Sequence, residues 1–157
     1  MRPGHFNGVA TVVEKLLRMF NPSNAYFGEK DFQQLILIKT LVKKKELKVN
    51  IVGCETIRED DGLAMSSRNK LLNSSERTSA SNVIRLLKKA KKLYKSSTKE
   101  ETKSNILEDA LMIENFNWEY FEILDITELS GFLEEKEIRA FIACKVGKIR
   151  LIDNIKI

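Results

Sequence analysis

The first 55 residues alternate between helical and extended patterns of apolar positions. Apolar side chains three or four positions apart predict a helix over residues 8–20, which ends where Pro22 disfavours a further turn. Residues 25–27 form a short apolar run that predicts a buried strand, and a second helix, which Asp31 can cap, follows it. Residues 48–52 predict another strand. The order helix, strand, helix, strand is typical of a parallel α/β sheet.

The pattern changes at about residue 57. Residues 57–73 are polar and rich in turn formers, and two long helical patterns follow at about 75–94 and 98–115. Three strand-like segments close the chain, at 118–124, 139–146 and 149–152. Gly147-Lys148 between the last two predicts a tight hairpin. This part of the chain therefore predicts a small α+β domain with two helices and an antiparallel sheet.

The two patterns predict a composite chain with a boundary between residues 56 and 57. Residues 1–56 contain too few strands for a stable open sheet. They therefore predict the last units of a larger α/β domain, whose remainder lies upstream or in a partner chain. If the domain of residues 57–157 hinges, we expect the hinge at residues 55–58, where the strand pattern gives way to a loop.

Composition narrows the class of protein without deciding its function. The 157 residues are 43% hydrophobic and 31% charged, and no apolar run approaches the ~20 residues that a bilayer needs. Two cysteines with no metal or disulfide spacing are typical of free thiols, and we expect a cytoplasmic protein. The net charge of +5 comes mainly from lysines at 43–45 and 88–95. Solvated helix faces explain these lysines, with nucleic-acid contact as the alternative interpretation.

The run Phe-Gly-Glu-Lys-Asp-Phe-Gln-Gln at residues 27–34 lies between a strand end and a helix start. Ligands bind at the carboxyl ends of strands in open α/β sheets, and Gly28 would let a ligand approach the backbone. Lys30 offers a charge for phosphate, and Asp31 could accept hydrogen bonds from ribose hydroxyls. Gln34 could touch a second substrate. The alternative interpretation is that Asp31 is only a helix cap and that the glutamines form a polar helix face.

A second polar run follows Asp60-Asp61-Gly62-Leu63-Ala64. Its residues Met65, Ser66, Ser67 and Arg68 combine two hydroxyl donors with a guanidinium, whose planar fork fits phosphate oxygens. Met65 could pack on a purine face. The alternative is a serine-rich turn before a helix, in which Arg68 makes a surface ion pair.

Together these runs resemble one enzyme family. The segments at residues 2–9, 27–34 and 61–69 and the closing Arg-Leu-Ile-Asp-Asn at 150–154 occur in the order and approximate spacing of the pantoate–β-alanine ligases, or pantothenate synthetases. The resemblance implies the last units of a Rossmann-like nucleotidyltransferase domain, followed by a C-terminal lid domain. It implies an ATP-dependent reaction in which pantoate forms a pantoyl adenylate, and the amine of β-alanine then displaces AMP to give pantothenate.

The resemblance also assigns roles to residues of this chain. It implies that Gly28 and the backbone near Ile57 line the nucleoside pocket, that Asp31 contacts ribose and that Met65 packs near adenine. Residues 65–68 are similar to the loop that holds the ATP phosphates in such enzymes. The residues expected to stabilise phosphate charge as the adenylate forms are Lys30, Ser66, Ser67 and Arg68. Gln34 would hydrogen-bond pantoate, and Mg²⁺ would bridge phosphate oxygens without a protein metal site of its own.

One departure from the family changes the expectation for this chain. The upstream half of the family carries a His-x-Gly-His signature and a second glutamine for pantoate, and this chain has neither. We therefore expect that this chain is the C-terminal portion of such an enzyme and lacks the N-terminal half. We expect it to bind ATP weakly and to have no turnover alone. The alternative is a non-catalytic lid or partner module that needs a separate N-terminal chain. The resemblance implies small-molecule substrates, no nucleic-acid or membrane partner, and a possible homodimer at full length.

Overall fold

A computed structural model describes residues 4–131 and 136–157. The chain divides into two compact units. The described residues of the first unit are 4–55 with 126–131 and 136, and those of the second unit are 56–125 and 137–157. The predicted fold class is confirmed, because a parallel sheet with helices is followed by helices and an antiparallel sheet. The division into domains at residues 56 and 57 stays a prediction.

The first unit has the predicted order of elements. These are helix α1 (His5–Phe20), strand β1 (Asn24–Gly28), a 3-10 turn (Glu29–Asp31), helix α2 (Phe32–Lys44), strand β2 (Asn50–Cys54) and a later 3-10 turn (Ile126–Leu129). Strands β1 and β2 pair in parallel, from Asn24 opposite Asn50 to Gly28 opposite Cys54. Helix α2 buries Phe32, Leu35, Ile36 and Ile38. The sequence pattern thus identified Leu35 and Ile38 of this core, while Leu41 and Val42, which the pattern also included, are only half-buried.

Helix α1 differs from the expectation mainly at its start. It begins at His5, after Gly4 with a φ of 76°, rather than at residue 8. It ends at the predicted place, where Asn21 adopts a left-handed conformation (φ 40°) and its N–H bonds the carbonyl of Leu17. Leu17 is the buried residue of this helix, and four large apolar side chains remain exposed along it: Val12, Leu16, Met19 and Phe20.

The second unit packs helices on a three-stranded sheet. Its elements are a 3-10 turn (Ser67–Leu71), helices α3 (Ser74–Ala80), α4 (Asn82–Leu93) and α5 (Lys99–Leu111), and strands β3 (Phe116–Asp125), β4 (Ile138–Val146) and β5 (Ile149–Lys156). The strands are antiparallel in the order β3-β4-β5. Gly147, with a φ of 56°, makes the predicted hairpin between β4 and β5. Residues buried completely in this core include Leu86, Leu87, Ile106 and Ala140.

The predicted helix over 75–94 is divided into α3 and α4, which corrects the expectation of two helices. Polar side chains at the division bond to backbone carbonyls of the preceding turn. Ser81 Oγ donates to the carbonyl of Thr78 (2.8 Å), and the Asn82 amide donates to the carbonyls of Thr78 and Ser79 (3.1 and 3.2 Å). Such bonds compete with helical geometry. Helix α5 also ends earlier than predicted, at Leu111.

The two cysteines are free thiols in different environments. Cys144 on β4 is fully buried, as expected for a small core residue, and burial raises the pKa of its thiol to about 12. Cys54 at the end of β2 is exposed. Within residues 4–131 and 136–157, no helix is both long enough and apolar enough to cross a bilayer.

Candidate functional site

The carboxyl ends of β1 and β2 lie side by side at Gly28 and Cys54, and the residues predicted to bind nucleotide follow directly. A Cβ added to Gly53 would lie 3.1 Å from Leu35 Cδ2 and 3.2 Å from Glu29 Oε1. The side chains of Glu29 and Leu35 therefore pack closely against the backbone of β2 at Gly53, and a larger residue there would require them to shift.

The predicted ligand-binding residues of the first unit lie within one turn of this strand end. A Cβ on Gly28 would meet no atom within 4 Å, so another molecule can reach the backbone there. Lys30 and Gln34 are half-buried, and Asp31 is exposed. Asp31 occupies the N-cap position of α2, but its side chain makes no capping bond. The prediction that Asp31 caps this helix is therefore wrong, and its exposed carboxylate is not used by the helix.

In the second unit, residues 57–65 form a short antiparallel ladder. Arg58 and Ala64 are bridge partners, and the N–H of Met65 donates to the carbonyl of Ile57 (2.9 Å). Gly62 turns the chain with a φ of 84°, a conformation that favours glycine. Opposite residues of a ladder point to the same side. Ile57 and Met65 therefore form an apolar pair, and both are well exposed, at 72% and 56%.

The opposite side of this ladder is fixed to the core of the second unit. Arg58 donates from both terminal nitrogens to the carboxylate of Asp153 on β5, at 2.6 and 3.2 Å. The side chain of Asp153 is only 1% exposed. The guanidinium of Arg58 also donates to the carbonyl of Gly62 (3.1 Å), so one side chain joins the first strand of the ladder to its turn and to β5.

Arg77 on α3 joins two carboxylates of the same ladder. Its Nη2 lies 2.6 Å from Glu59 Oε2, and its Nε lies 2.6 Å from Asp61 Oδ2. The hydrogen bond from Arg77 lowers the pKa of Glu59, with a smaller contribution from Asn69, and it also lowers the pKa of Asp61. In return Asp61, and then Glu59, raise the pKa of Arg77. All three groups are therefore charged at neutral pH.

Asn69 connects this charged group to the polar run. Its buried amide donates to Glu59 Oε1 (2.5 Å) and to the carbonyl of Ala64 (3.1 Å). Its backbone N–H donates to the carbonyl of Ser66 (3.1 Å), within the 3-10 turn that follows. Asn69, which follows Arg68 in the chain, therefore bonds the backbone on both sides of Met65, at the start of the segment from Met65 to Arg68.

The segment itself presents its polar side chains outward. Ser66 is extended (φ −156°), and its Oγ accepts a hydrogen bond from the N–H of Arg68 (3.3 Å). Ser67 and Arg68 are exposed, and Ser66 is half-buried. A hydroxyl and a guanidinium next to each other on a fixed backbone can bind phosphate oxygens, because both donate hydrogen bonds and one is charged. These residues are consecutive in the sequence, so what the structure adds is their exposure and the contacts that support their backbone.

Comparison with known protein families gives one decisive match. The family model described as pantoate-beta-alanine ligase matches residues 1–156. The chain belongs to this family.

Several relatives show how much of the family the chain represents. It is 45% identical over 159 residues to a pantothenate synthetase of Flavobacterium psychrophilum and 44% identical over 158 residues to one of Bacteroides thetaiotaomicron. Each match covers 99% of this chain but 56% of the relative, so the chain spans about half the length of these relatives. The prediction that the unmatched part is N-terminal stays a prediction.

Solved structures support the fold. A crystal structure of pantothenate synthetase from Thermus thermophilus matches with a TM-score of 0.89 and 36% identity, over 99% of this chain and 57% of that one. A pantoate-beta-alanine ligase from Francisella tularensis matches with a TM-score of 0.71 and 37% identity, over 99% and 51%. That protein was crystallised in complex with beta-gamma ATP and beta-alanine.

The sequence did not indicate which residues hold the segment 65–68. These are Arg58, Glu59, Asn69, Arg77 and Asp153. Asp61-Gly62 is a turn signal that could have predicted the short ladder, since such dipeptides are typical of hairpins. No local pattern links Arg77 or Asp153 to the ladder, because these contacts depend on tertiary packing.

The described residues hold no group of three or more His, Cys, Asp or Glu side chains that could bind a metal ion.

Proposed function

We propose that this chain contributes to the ATP-dependent condensation of pantoate with β-alanine. Pantoate carboxylate attacks the α-phosphorus of ATP, which forms pantoyl adenylate and releases pyrophosphate. The amine of β-alanine then attacks the acyl carbon, the bond to AMP breaks, and pantothenate forms. The observation that carries the proposal is the exposed segment from Ser66 to Arg68, held on a rigid ladder in a member of the pantoate-beta-alanine ligase family.

Ile57 and Met65 are proposed to bind the adenine of ATP. They form an exposed apolar pair, and an exposed apolar surface is suited to a flat base. At the strand end of the first unit, the open backbone at Gly28 and the exposed carboxylate of Asp31 are proposed to contact the nucleoside, with Asp31 accepting hydrogen bonds from ribose hydroxyls.

The proposed catalytic groups stabilise negative charge. They are Lys30, Ser66, Ser67 and Arg68. Adenylyl transfer needs positioning and fixed positive charge more than a protein nucleophile, because the substrate carboxylate is itself the nucleophile. Mg²⁺ would bind phosphate oxygens and supply further positive charge. Gln34, half-buried in the first turn of α2, is proposed to hydrogen-bond pantoate.

The nucleotide part of this proposal is tested by calorimetry of magnesium-ATP binding to the chain. Arg68→Ala removes an exposed guanidinium from the proposed phosphate segment, and we expect about tenfold weaker binding. Arg85→Ala is the matched control, because Arg85 is also exposed and bonds only Asn82 of its own helix in the described contacts. Equal losses in both variants would show that general charge, and not the segment, attracts ATP.

The second candidate function is a module that acts with a separate chain, and the surface of the first unit favours it. Val12, Leu16, Met19 and Phe20 form an exposed apolar stripe on α1. Tyr26 on β1 is 68% exposed, on the sheet face opposite the one where Gly53 meets Leu35 of α2. Parallel sheets normally have both faces covered. A chain with the unmatched part of the family fold would cover these surfaces.

This alternative is tested by mixing the chain with a separately expressed copy of the unmatched part of a relative. Pantothenate formation in the mixture, and in neither chain alone, would favour a module that needs a partner. Turnover by this chain alone would exclude the need for one. Cytoplasmic localisation, the absence of a nucleic-acid partner and homodimer formation at full length stay predictions.

A further inference from the structure

We propose that Arg77 is a positioning residue for the segment from Met65 to Arg68, and that it acts through Glu59 and Asn69. The inference rests on the proposed function, because it names what holds that segment ready for phosphate. Arg77 lies on α3, outside the segment, and its ion pairs are with carboxylates of the ladder that supports the segment.

The hydrogen bonds lead from Arg77 to the start of the segment. Arg77 holds the carboxylate of Glu59 from one side, at 2.6 Å, and the Asn69 amide donates to its other oxygen, at 2.5 Å. The same amide donates to the carbonyl of Ala64, the residue that precedes Met65. A continuous chain of hydrogen bonds therefore runs from α3 to the backbone at the start of the segment.

The charge of Glu59 fixes the orientation of Asn69. The amide nitrogen of Asn69 faces two acceptors, a carboxylate and a carbonyl, so a rotated amide would place its oxygen against both. Asn69 in turn bonds the backbone on both sides of Met65, through the carbonyls of Ala64 and Ser66. Loss of Arg77 would leave Glu59 without its cation and allow this arrangement to relax.

Arg77 also holds two points of the ladder at once. Its Nε bonds Asp61, whose other oxygen accepts the N–H of Leu63 (3.0 Å) next to the turn. A lysine carries one ammonium and cannot present the same planar fork to both carboxylates. The arrangement therefore specifies arginine, and we expect Arg77→Lys to rescue only part of the effect of Arg77→Gln.

The charge of Arg77 sets the electrostatics around the segment. Glu59 and Asp61 place two negative charges on the ladder that carries a proposed phosphate-binding site, and Arg77 offsets them. Without it, Arg68 would attract an anion less strongly, since like charges nearby repel phosphate. The hydrogen bonds of Arg77 and its positive charge thus both favour the binding of phosphate by the segment.

The experiment uses the whole chain, labelled with ¹³C at the methionine methyl groups. The sequence has only four methionines, so the Met65 signal is assigned by Met65→Leu. Wild type, Arg77→Gln, Arg77→Lys and Arg150→Gln are compared. Arg150→Gln is the matched control, because it removes an exposed pair with Glu119 in the same unit at a similar distance (2.7 Å). The readouts are Met65 relaxation without nucleotide, the affinity for magnesium-ATP, and the thermal midpoint.

We expect Arg77→Gln to increase the mobility of Met65 and to weaken ATP binding about tenfold, with Arg77→Lys intermediate. Arg150→Gln should change neither, even if it lowers the thermal midpoint equally. Unchanged Met65 relaxation in Arg77→Gln would overturn the inference, whether or not the chain binds ATP. If wild type binds no ATP, the proposed nucleotide site fails, while the relaxation data still decide the role of Arg77. If Arg77→Gln does not fold, Glu59→Gln replaces it: it keeps one oxygen for the Asn69 amide but removes the acceptor for Arg77, and it should also increase the mobility of Met65, whereas unchanged Met65 relaxation would overturn the inference.

Discussion

The two units of this chain hold their candidate ligand-binding residues in different ways. In the second unit, charged side chains from α3 and β5 fix a short ladder to a core of fully buried residues such as Leu86 and Ile106. In the first unit, the strand end is fixed by a two-stranded parallel ladder and by the close contact of Glu29 with Gly53. The apolar stripe on α1 remains exposed there. The second unit thus adds charged contacts that support its ladder, while both units leave large apolar side chains exposed, such as Met19 in the first and Met112 in the second.

The largest expected difference between the units concerns apolar side chains. Leu86→Ala removes a fully buried side chain of α4 and should lower the free energy of unfolding by about 4 kcal/mol, because it leaves a cavity. Met19→Ala in the stripe on α1 should cost less than about 0.5 kcal/mol, because Met19 is 73% exposed. Urea denaturation followed by circular dichroism and by fluorescence of the single tryptophan, Trp118 on β3, measures both.

Equal costs for the two substitutions would contradict this comparison. They would show that the stripe on α1 is covered in solution, for example by association of two chains. Repeating the Met19→Ala measurement over a range of protein concentrations separates these cases, because association makes stability depend on concentration.

A smaller effect is expected from the pair that anchors the ladder to β5. Arg58→Ala leaves the carboxylate of Asp153 buried without its cation and should cost about 3 kcal/mol. Asp153→Ala should cost less, because the side chain of Arg58 is 24% exposed and can reach water. Chemical denaturation measures the difference in the free energy of unfolding between the two variants. Equal costs, or a larger cost for Asp153→Ala, would show that packing around β5 and not the buried charge determines the stability of this anchor.

Local patterns were enough to predict the framework of the fold. The apolar periodicity of residues 8–20 and the Pro22 that follows determine where α1 ends. The order of elements in the first unit and the hairpin at Gly147 follow from similar signals. The segment from Met65 to Arg68 could be identified because its four residues are consecutive and carry two hydroxyl groups and a guanidinium next to one another.

Features that depend on competition or on distant contacts were not predictable in this way. Ser81 and Asn82 divide a helical pattern, because their side chains bond carbonyls of the preceding turn. Asp31 lies at a cap position, but whether its carboxylate bonds the helix depends on the turn before it. Asp153 meets Arg58 across 95 positions of sequence, which no local pattern encodes.

The smallest effect, and the sharpest test of the charged support, is a dependence of stability on pH. Hydrogen bonds from Arg77 hold the pKa of Glu59 and of Asp61 below their ordinary values. A carboxyl group whose pKa is lower in the folded state contributes its full stability above its unfolded pKa. It loses that contribution as the pH falls through the folded pKa. We therefore expect the second unit to lose stability as the pH falls below the ordinary carboxyl pKa of about 4, more at low than at high salt.

Arg77→Gln should flatten this dependence, because neither carboxyl then has a cation to lower its pKa. Glu101, whose pKa is lowered by hydrogen bonds from Thr98, keeps its contribution in both proteins, so the difference between wild type and variant isolates Arg77. Urea denaturation with Trp118 fluorescence across this pH range measures that difference. Parallel curves for the two proteins would mean that Arg77 does not couple the charges of Glu59 and Asp61 to folding. The buried pair of Arg58 with Asp153 would then be the charged contact that supports the ladder.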